Sequence, residues 1–221
     1  MAIPKTIYQT FKHKKLPLLT QWHIYQLRRR NPEYDYQFYD DERISSFIRQ
    51  EFGPDVFNLY QRITIGASKA DFFRYAILYK KGGIYLDIDS LIVTKLDDFI
   101  LPTDTAIISY ENNLKYYVQW ALFFEAGHPF LLKTLEVVLD NLRENRFPND
   151  VHQMTGPSAF SKAISACIHT SSAIGYRQLG VDYDGKCRFH HRFSKFFLYG
   201  LRRKNHWKKQ QIAKSIMNVP E

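Results

Sequence analysis

Two adjacent glycines, Gly82-Gly83, divide a helix-patterned segment from a β-branched one, and the second segment ends on a pair of aspartates. Upstream, Ser68 to Lys80 places Ala70, Phe73 and Ile77 on one apolar stripe flanked by Ala76 and Leu78, the spacing of a helix. Ser68 reads as its N-cap, and Asp71 as a first-turn carboxylate favoured by the helix dipole. Lys80-Lys81 suit the opposite end of the dipole, and the glycines stop the helix. Ile84 to Asp89 then reads as a strand. Leu91 to Val93 either continues it or forms a second short strand beyond a kink. A chain so punctuated brings Asp71, Arg74, Asp87 and Asp89 within reach of one another.

Strand alternation puts Ile84, Leu86 and Ile88 on one face and Tyr85, Asp87 and Asp89 on the other. Two carboxylates at the end of a central strand repel, and repulsion raises the pKa of one of them. A divalent cation relieves that, and ligand crevices in open α/β sheets lie beyond such strand ends. Residues i and i+2 are about 6.6–7 Å apart at Cα, so both reach one ion only through a kink or a water. Asp89, nearer the strand end, is therefore read as the direct metal ligand. Asp87 is read as acting on a ribose or through metal-bound water. All-oxygen ligation favours Mg2+ or Mn2+ over zinc. Asp71 and Arg74 stand three apart on the helix, a common ion-pair spacing that also sets acceptors and donors side by side for sugar hydroxyls.

Elsewhere strands and helices alternate, which argues for an α/β fold around one mostly parallel sheet flanked by helices. Ile3 to Thr10 reads as the first strand. Leu18 to Arg30 reads as a helix with Leu18, Trp22, Tyr25 and Arg29 on one face, stopped by Asn31-Pro32. Tyr34 to Tyr39 is a short strand. Asp40-Asp41-Glu42 opens a helix to about Gln50, and Val56 to Arg62 is a second short helix. Thr105 to Tyr110 and Val118 to Glu125 read as strands, and Pro129 to Asn145 and Pro157 to His169 as helices. A strand near Lys186 to Phe189 and one or two basic helices complete the chain. With 221 residues and no internal repeat or linker-like tract, a single domain over 1–221 is expected.

The string Ser68-Lys69-Ala70-Asp71-Phe72-Phe73-Arg74-Tyr75, followed by Leu78-Tyr79-Lys80-Lys81-Gly82-Gly83-Ile84-Tyr85-Leu86-Asp87-Ile88-Asp89, strongly resembles the sugar-binding region of glycosyltransferase family 32. It is also similar to the glucosylating toxins of clostridia. Ile3-Pro4-Lys5-Thr6-Ile7-Tyr8-Gln9-Thr10-Phe11 resembles the family's first strand, with Tyr8 and Phe11 as aromatic departures from its His and Trp. Asn31-Pro32-Glu33-Tyr34 and Gly127-His128-Pro129 are further landmarks, so the likeness spans roughly residues 3–170. It implies a GT-A type, Rossmann-like nucleotide-binding sandwich, a UDP- or GDP-sugar donor, Mn2+ or Mg2+, and retention of anomeric configuration. By position, Asp71 and Arg74 would hold the donor sugar and Tyr85 would line its pocket. Asp87 would contact ribose and the metal's hydration shell, Asp89 would bind the metal, and Gln9 and Thr10 would border the nucleotide. The family closes its site with a C-terminal His and Trp. Asn205-His206-Trp207 is the nearest match, with His206 as a third metal ligand, and His190 or His191 as substitutes. No catalytic nucleophile is identifiable, and no acid/base carboxylate pair stands out.

Charge bears on partners. Residues 1–185 hold 21 Lys/Arg and 21 Asp/Glu, so the net charge of +9 sits in residues 186–221. From Lys186 to Lys214 those cations interleave with aromatics, which suits an anionic membrane surface. Nucleic-acid binding is not expected, because the first 185 residues balance to zero. A phosphatase of the haloacid-dehalogenase type also uses Asp-x-Asp. That pattern needs Thr or Val where this chain has Leu91, and it falls on a first strand. A basic membrane- or nucleic-acid-binding module without catalysis is the competing non-enzyme reading. No apolar run is long enough for a transmembrane helix, and no signal-peptide core is seen at the start. Cys167 and Cys187 read as reduced thiols, and zinc is not expected on so thin a ligand set. The expected setting is the cytoplasm or the inner face of the cell membrane, in cell-surface polysaccharide synthesis on saccharide or lipid-linked acceptors.

Overall fold

The computed structural model describes residues 2–189 and 207–218. A six-stranded sheet runs in the order β2-β1-β3-β6-β5-β7. These are β1 (Thr6–Thr10), β2 (Asp35–Tyr39), β3 (Gly83–Leu86), β5 (Ala106–Ser109), β6 (Ala121–Phe124) and β7 (Arg177–Leu179). β1 pairs in parallel with β2 and β3, and β5 with β7, while β6 runs antiparallel to both neighbours. The crossover between β1 and β2 is α1 (Leu18–Arg30). Between β2 and β3 come α2 (Asp41–Gln61) and α3 (Gly66–Lys81). The chain thus steps from β1 to β2 on one side and then crosses back over β1 to β3 on the other, and the crevice between the carboxyl ends of β1 and β3 is a topological switch point.

Alternation on the strands builds a core on each face. Tyr8, Tyr85, Leu122 and Phe124 pack with the apolar sides of α2, α3, α4 (Pro129–Arg143) and α6 (Pro157–Thr170). Ile7, Ile84, Leu86 and Phe123 face the other way, toward Leu96, Phe99, Tyr183 and Cys187. A two-stranded ribbon of β4 (Leu91–Ile92) and β8 (Cys187–Arg188) lies on that side. Tyr183 there belongs to a one-turn element, α7 (Val181–Asp184), whose central residues have left-handed φ.

The α3-to-β3 joint follows the sequence expectation for a physical reason. Gly82 has φ 64° and Gly83 φ 107°, both in the region that favours glycine. A Cβ on Gly82 would stand 2.6 Å from the Ala126 nitrogen, and one on Gly83 2.7 Å from the Thr6 carbonyl oxygen. The backbone therefore passes where no side chain fits.

Several expectations are corrected. Ser68 is not the N-cap: α3 begins at Gly66 behind an extended Ile65, and Ser68 lies buried inside the helix. Asp71 is consequently in the second turn, beyond the strongest part of the dipole. β3 stops at Leu86, and Asp87 to Ser90 form a turn in which the Ser90 amide donates to the Asp87 carbonyl at 2.9 Å. The two helices read over 40–62 are present, running together as α2 with a break at Gly53, whose φ is 76° ahead of Pro54. β7 was not anticipated. The face of α1 carrying Leu18, Trp22 and Tyr25 is exposed, with Thr20 the one buried residue of that helix.

Near the C-terminus, α5 (Val151–Met154) meets α8 (Trp207–Ala213), the Val151 amide donating to the Gln211 side-chain oxygen at 3.0 Å. The following residues return to the α2–α3 connection. The Thr64 amide donates to the Ile216 carbonyl at 2.8 Å, and Ile216 and Met217 are buried. His190, His191 and His206 lie outside the described residues, as does most of the basic segment.

Candidate active site

The centre of the site is Arg74, fixed on α3 beneath the end of β3. Its Nη2 lies 3.2 Å from Asp71 Oδ1 and 3.0 Å from Asp87 Oδ1. Its Nη1 donates to the Gln119 carbonyl at 2.9 Å, and its guanidinium carbon stands 4.7 Å from the Tyr85 ring centroid. Burial works against its charge, but Asp87, Tyr85 and Asp71 outweigh that and hold its pKa above the ordinary arginine value. The i,i+3 spacing of Asp71 and Arg74 therefore does form an ion pair. It is buried and extends across to the aspartate turn, unlike the weak surface pairs such spacing usually gives.

Asp71 is held on three sides. Besides Arg74, its Oδ1 accepts from Gln119 Nε2 at 3.0 Å and its Oδ2 from the Thr155 hydroxyl at 2.9 Å. Burial raises its pKa, opposed by Arg74, Thr155 and Gln119. A sugar hydroxyl reaching Asp71 must displace Gln119 or Thr155, or share its oxygens with them. Gln119 also donates to the Tyr75 hydroxyl. Neither Gln119 nor Thr155 was singled out from sequence. A glutamine inside the apolar run Val118 to Phe124, and a threonine directly before Gly156-Pro157, were the available signals.

Asp87 accepts from the Tyr85 hydroxyl at 3.0 Å, and its side chain stays 24% exposed. Burial pushes its pKa up to about 6 against the pull of Arg74, with the neighbouring Asp89 adding to the rise. The turn is held from β1: Gln9 Nε2 donates to the Asp87 carbonyl at 3.1 Å, and the Tyr36 hydroxyl donates to Gln9 Oε1 at 3.0 Å. Thr10 stands next to Gln9, its hydroxyl donating to the Tyr39 carbonyl at 2.8 Å. Asp89 follows in the same turn and is 4% exposed. The structure thus brings Gln9, Asp71, Arg74, Tyr85 and Asp87 into one connected cluster, with Asp89 in the adjoining turn.

The donor set fits a hard divalent cation. The side-chain donors at the turn, Asp87 and Asp89, are oxygens, the type such a cation takes. Asp87 and Asp89 lie in a turn and not on a continuous strand, so strand alternation does not fix their separation. Among the described residues no group of three His, Cys, Asp or Glu side chains forms a ligand set. The expected third ligand, His206, lies outside them.

One cavity borders this cluster, and a second lies beside α5. The first, of about 490 Å³, lies at the switch point, lined by Gln9, Leu86, Ile88 and Ser90 with His23, Leu27 and Arg30 of α1. The other, about 870 Å³, is lined by Lys115, Tyr116, His152, Ser158, Trp207 and Lys208. His152 in its wall lies three positions before Thr155, the hydrogen-bond partner of Asp71. The His152 ring lies 6.1 Å from that of Tyr116 and 5.3 Å from that of Trp207.

Residues 19–111 match the family model described as a glycosyltransferase sugar-binding region containing the DXD motif. Inositol phosphoceramide mannosyltransferase 3 of Schizosaccharomyces pombe is 33% identical over 188 residues, covering 81% of this chain and 50% of that protein. An uncharacterized glycosyltransferase of Acanthamoeba polyphaga mimivirus is 34% identical over 132 residues, covering 58% of this chain and 51% of the relative. The initiation-specific alpha-1,6-mannosyltransferase of Candida albicans is 25% identical over 201 residues, covering 73% and 52%. The chain spans about half the length of these relatives. Among solved structures, PaToxG glycosyltransferase superposes with a TM-score of 0.60 at 15% identity, covering all of this chain and 82% of that one. The UDP-bound glycosyltransferase domain of the YGT toxin gives 0.57 at 10% identity, covering 83% and 82%. At those identities the likeness shows the fold.

Proposed function

The chain belongs to the glycosyltransferases with a DXD sugar-binding region and has their GT-A fold, and from that premise we propose that it transfers a hexose from a nucleotide-sugar donor. The acceptor is a saccharide or a lipid-linked saccharide. Mannose is the first donor sugar to test, with a glycolipid acceptor, because two of the three named relatives are mannosyltransferases, one of them an inositol phosphoceramide mannosyltransferase. That favours glycolipid over capsule or lipopolysaccharide synthesis. The chain is read as one catalytic unit over 1–221. Among the described residues no helix is long and apolar enough to cross a membrane. A cytoplasmic or inner-face location, and contact of residues 186–214 with an anionic membrane, remain part of the proposal.

The observation that carries this reading is the buried bridge from Asp71 through Arg74 to Asp87, at the switch point and beside Asp89. Asp89 and Asp87 would hold Mn2+ or Mg2+, with His206 as a further ligand. The ion would supply charge neutralisation of the departing diphosphate, so no protein acid is needed at the leaving group. Arg74 keeps Asp87 ionised and aimed. Asp71, held by Thr155, offers acceptor oxygens to the donor sugar's hydroxyls. Tyr85 walls the pocket, and Gln9 and Thr10 border the nucleotide. The cavity between Tyr116, His152 and Trp207 offers aromatic faces to an acceptor sugar on the far side of Thr155. Retention of configuration rests on the family resemblance.

The test is a panel of nucleotide sugars, including GDP-mannose and UDP-glucose, assayed for nucleoside diphosphate release with Mn2+. One donor should be hydrolysed above the others, and the rate should collapse in Asp87→Asn and Asp89→Asn. Release that is equal in those variants, or absent with every donor, would contradict the proposal.

A further inference from the structure

The apolar side of α1 faces outward. Leu18 is 84% exposed, Trp22 55% and Tyr25 53%, and they fall at i, i+4 and i+7, a continuous ridge on one side of the helix. The Trp22 and Tyr25 rings stack at 5.7 Å, so the ridge is a formed surface. The charge of the segment itself is of one sign, with Asp40 and Asp41 facing Lys14 and Lys12 from α2 and its start. Residues 1–32 carry seven Lys/Arg and no Asp or Glu, a local excess hidden by the neutral average over the first 185 residues. Lys12, Lys14 and Lys15 precede the helix, Arg28, Arg29 and Arg30 end it, and all six are exposed. Some are engaged: Lys14 lies 3.5 Å from Asp40, and Arg30 donates to the Ile92 carbonyl. Lys12, Lys15 and Arg29 flank the ridge at the surface.

We propose that α1 and the loop before it, residues 11–30, dock on an anionic lipid bilayer, with Leu18, Trp22 and Tyr25 entering the headgroup region and the flanking cations meeting lipid phosphates. A ridge of Trp, Tyr and Leu bordered by Lys and Arg is the composition of an interfacial helix. The one-signed charge selects an anionic bilayer over an apolar protein partner. Position supports this as well. Leu27 and Arg30 of the same helix line the cavity beside Gln9 and Ser90. A bilayer held on α1 therefore lies next to the aspartate turn, where a lipid-borne substrate has a short path. This surface is distinct from residues 186–214.

Co-sedimentation with vesicles tests it, using phosphatidylcholine alone and phosphatidylcholine with anionic phosphatidylserine, at moderate salt and without nucleotide or metal. The chain should bind the anionic vesicles and pass over the neutral ones. Replacing three cations, Lys12→Gln with Lys15→Gln and Arg29→Gln, should weaken binding about 100-fold. The triple change Leu18→Ser, Trp22→Ser and Tyr25→Ser should weaken it by at least about 10-fold. Lys208→Gln with Lys209→Gln, on α8 within the basic segment 186–214, should weaken it less than either α1 variant does. These are exposed positions, and an unchanged circular dichroism spectrum and melting temperature confirm folding.

The proposal is overturned if neither vesicle type binds, or if neutral vesicles bind equally well. It is also overturned if the α8 variant loses as much as the α1 variants. Light scattering that shows a dimer dependent on the ridge, with no vesicle binding, would assign the surface to a second copy instead. Vesicle binding is read without donor or cation, so its failure leaves the donor-site reading untouched.

Discussion

Arg74 is bound by two carboxylates and a carbonyl and lies over a phenol ring, so its removal strands charge in a buried place. Arg74→Ala should cost about 3–5 kcal/mol, the usual loss when one partner of a buried ion pair is deleted, read by urea denaturation. Arg74→Lys should recover only part of it, because an ammonium cannot span Asp71, Asp87 and the Gln119 carbonyl together. Asp87 gives a pH prediction. Its folded pKa of about 6 lies above the ordinary carboxylate value near 4. Between those values the folded state keeps a proton that the unfolded state has lost. Without metal, this group's contribution to stability therefore falls as pH rises through the window. Metal binding needs the carboxylate, so the rise in melting temperature caused by Mn2+ should be full at pH 7.5 and shrink below about pH 6. A Mn2+ effect independent of pH from 5 to 8 would rule out Asp87 as a participant. At this scale the sequence was readable where residue type carries the chemistry, as with Asp87 and Asp89. It was silent on Gln119 and Thr155, because their role comes from strands and loops that meet Asp71 only after folding.

Among the elements, the α3–β3 joint is the most constrained. Gly82→Ala should destabilise by more than about 1–2 kcal/mol, since left-handed strain adds to the close approach of Ala126. Gly53→Ala meets the same kind of strain, with φ 76°, but no atom lies within 4 Å of its added Cβ. It should cost clearly less, and paired thermal melts decide the order. Period and punctuation made α3, β3, α4 and α6 legible to within a few residues. Element ends were less so. β3 ends at Leu86 because the Asp87 carbonyl takes the Ser90 amide and hydroxyl in a turn, a choice local propensity does not reveal. β7 is a three-residue strand defined by its pairing with β5, hence invisible to alternation. For α1 the periodicity showed that the helix has two sides, and only the surrounding fold shows which one is covered.

The whole molecule is a sheet cored on both faces, closed near its C-terminus by residues 214–218 returning to the α2–α3 connection. Ile216 is buried there, and Ile216→Ala should cost about 2–5 kcal/mol by equilibrium unfolding. A near-zero change would mean that this return adds little to the fold. The α/β class and a mostly parallel sheet were legible from alternating elements, but the return of Ile216 and Met217 was not, because its partners lie some 150 residues upstream. The central claim is that this fold gathers Asp87 and Asp89 to hold a cation for a nucleoside diphosphate. Calorimetry with UDP and with GDP, each with and without Mn2+, tests it most directly. Binding of one of them should require Mn2+ and vanish in Asp89→Ala while the variant keeps its melting temperature. Binding that ignores both Mn2+ and Asp89 would contradict the account.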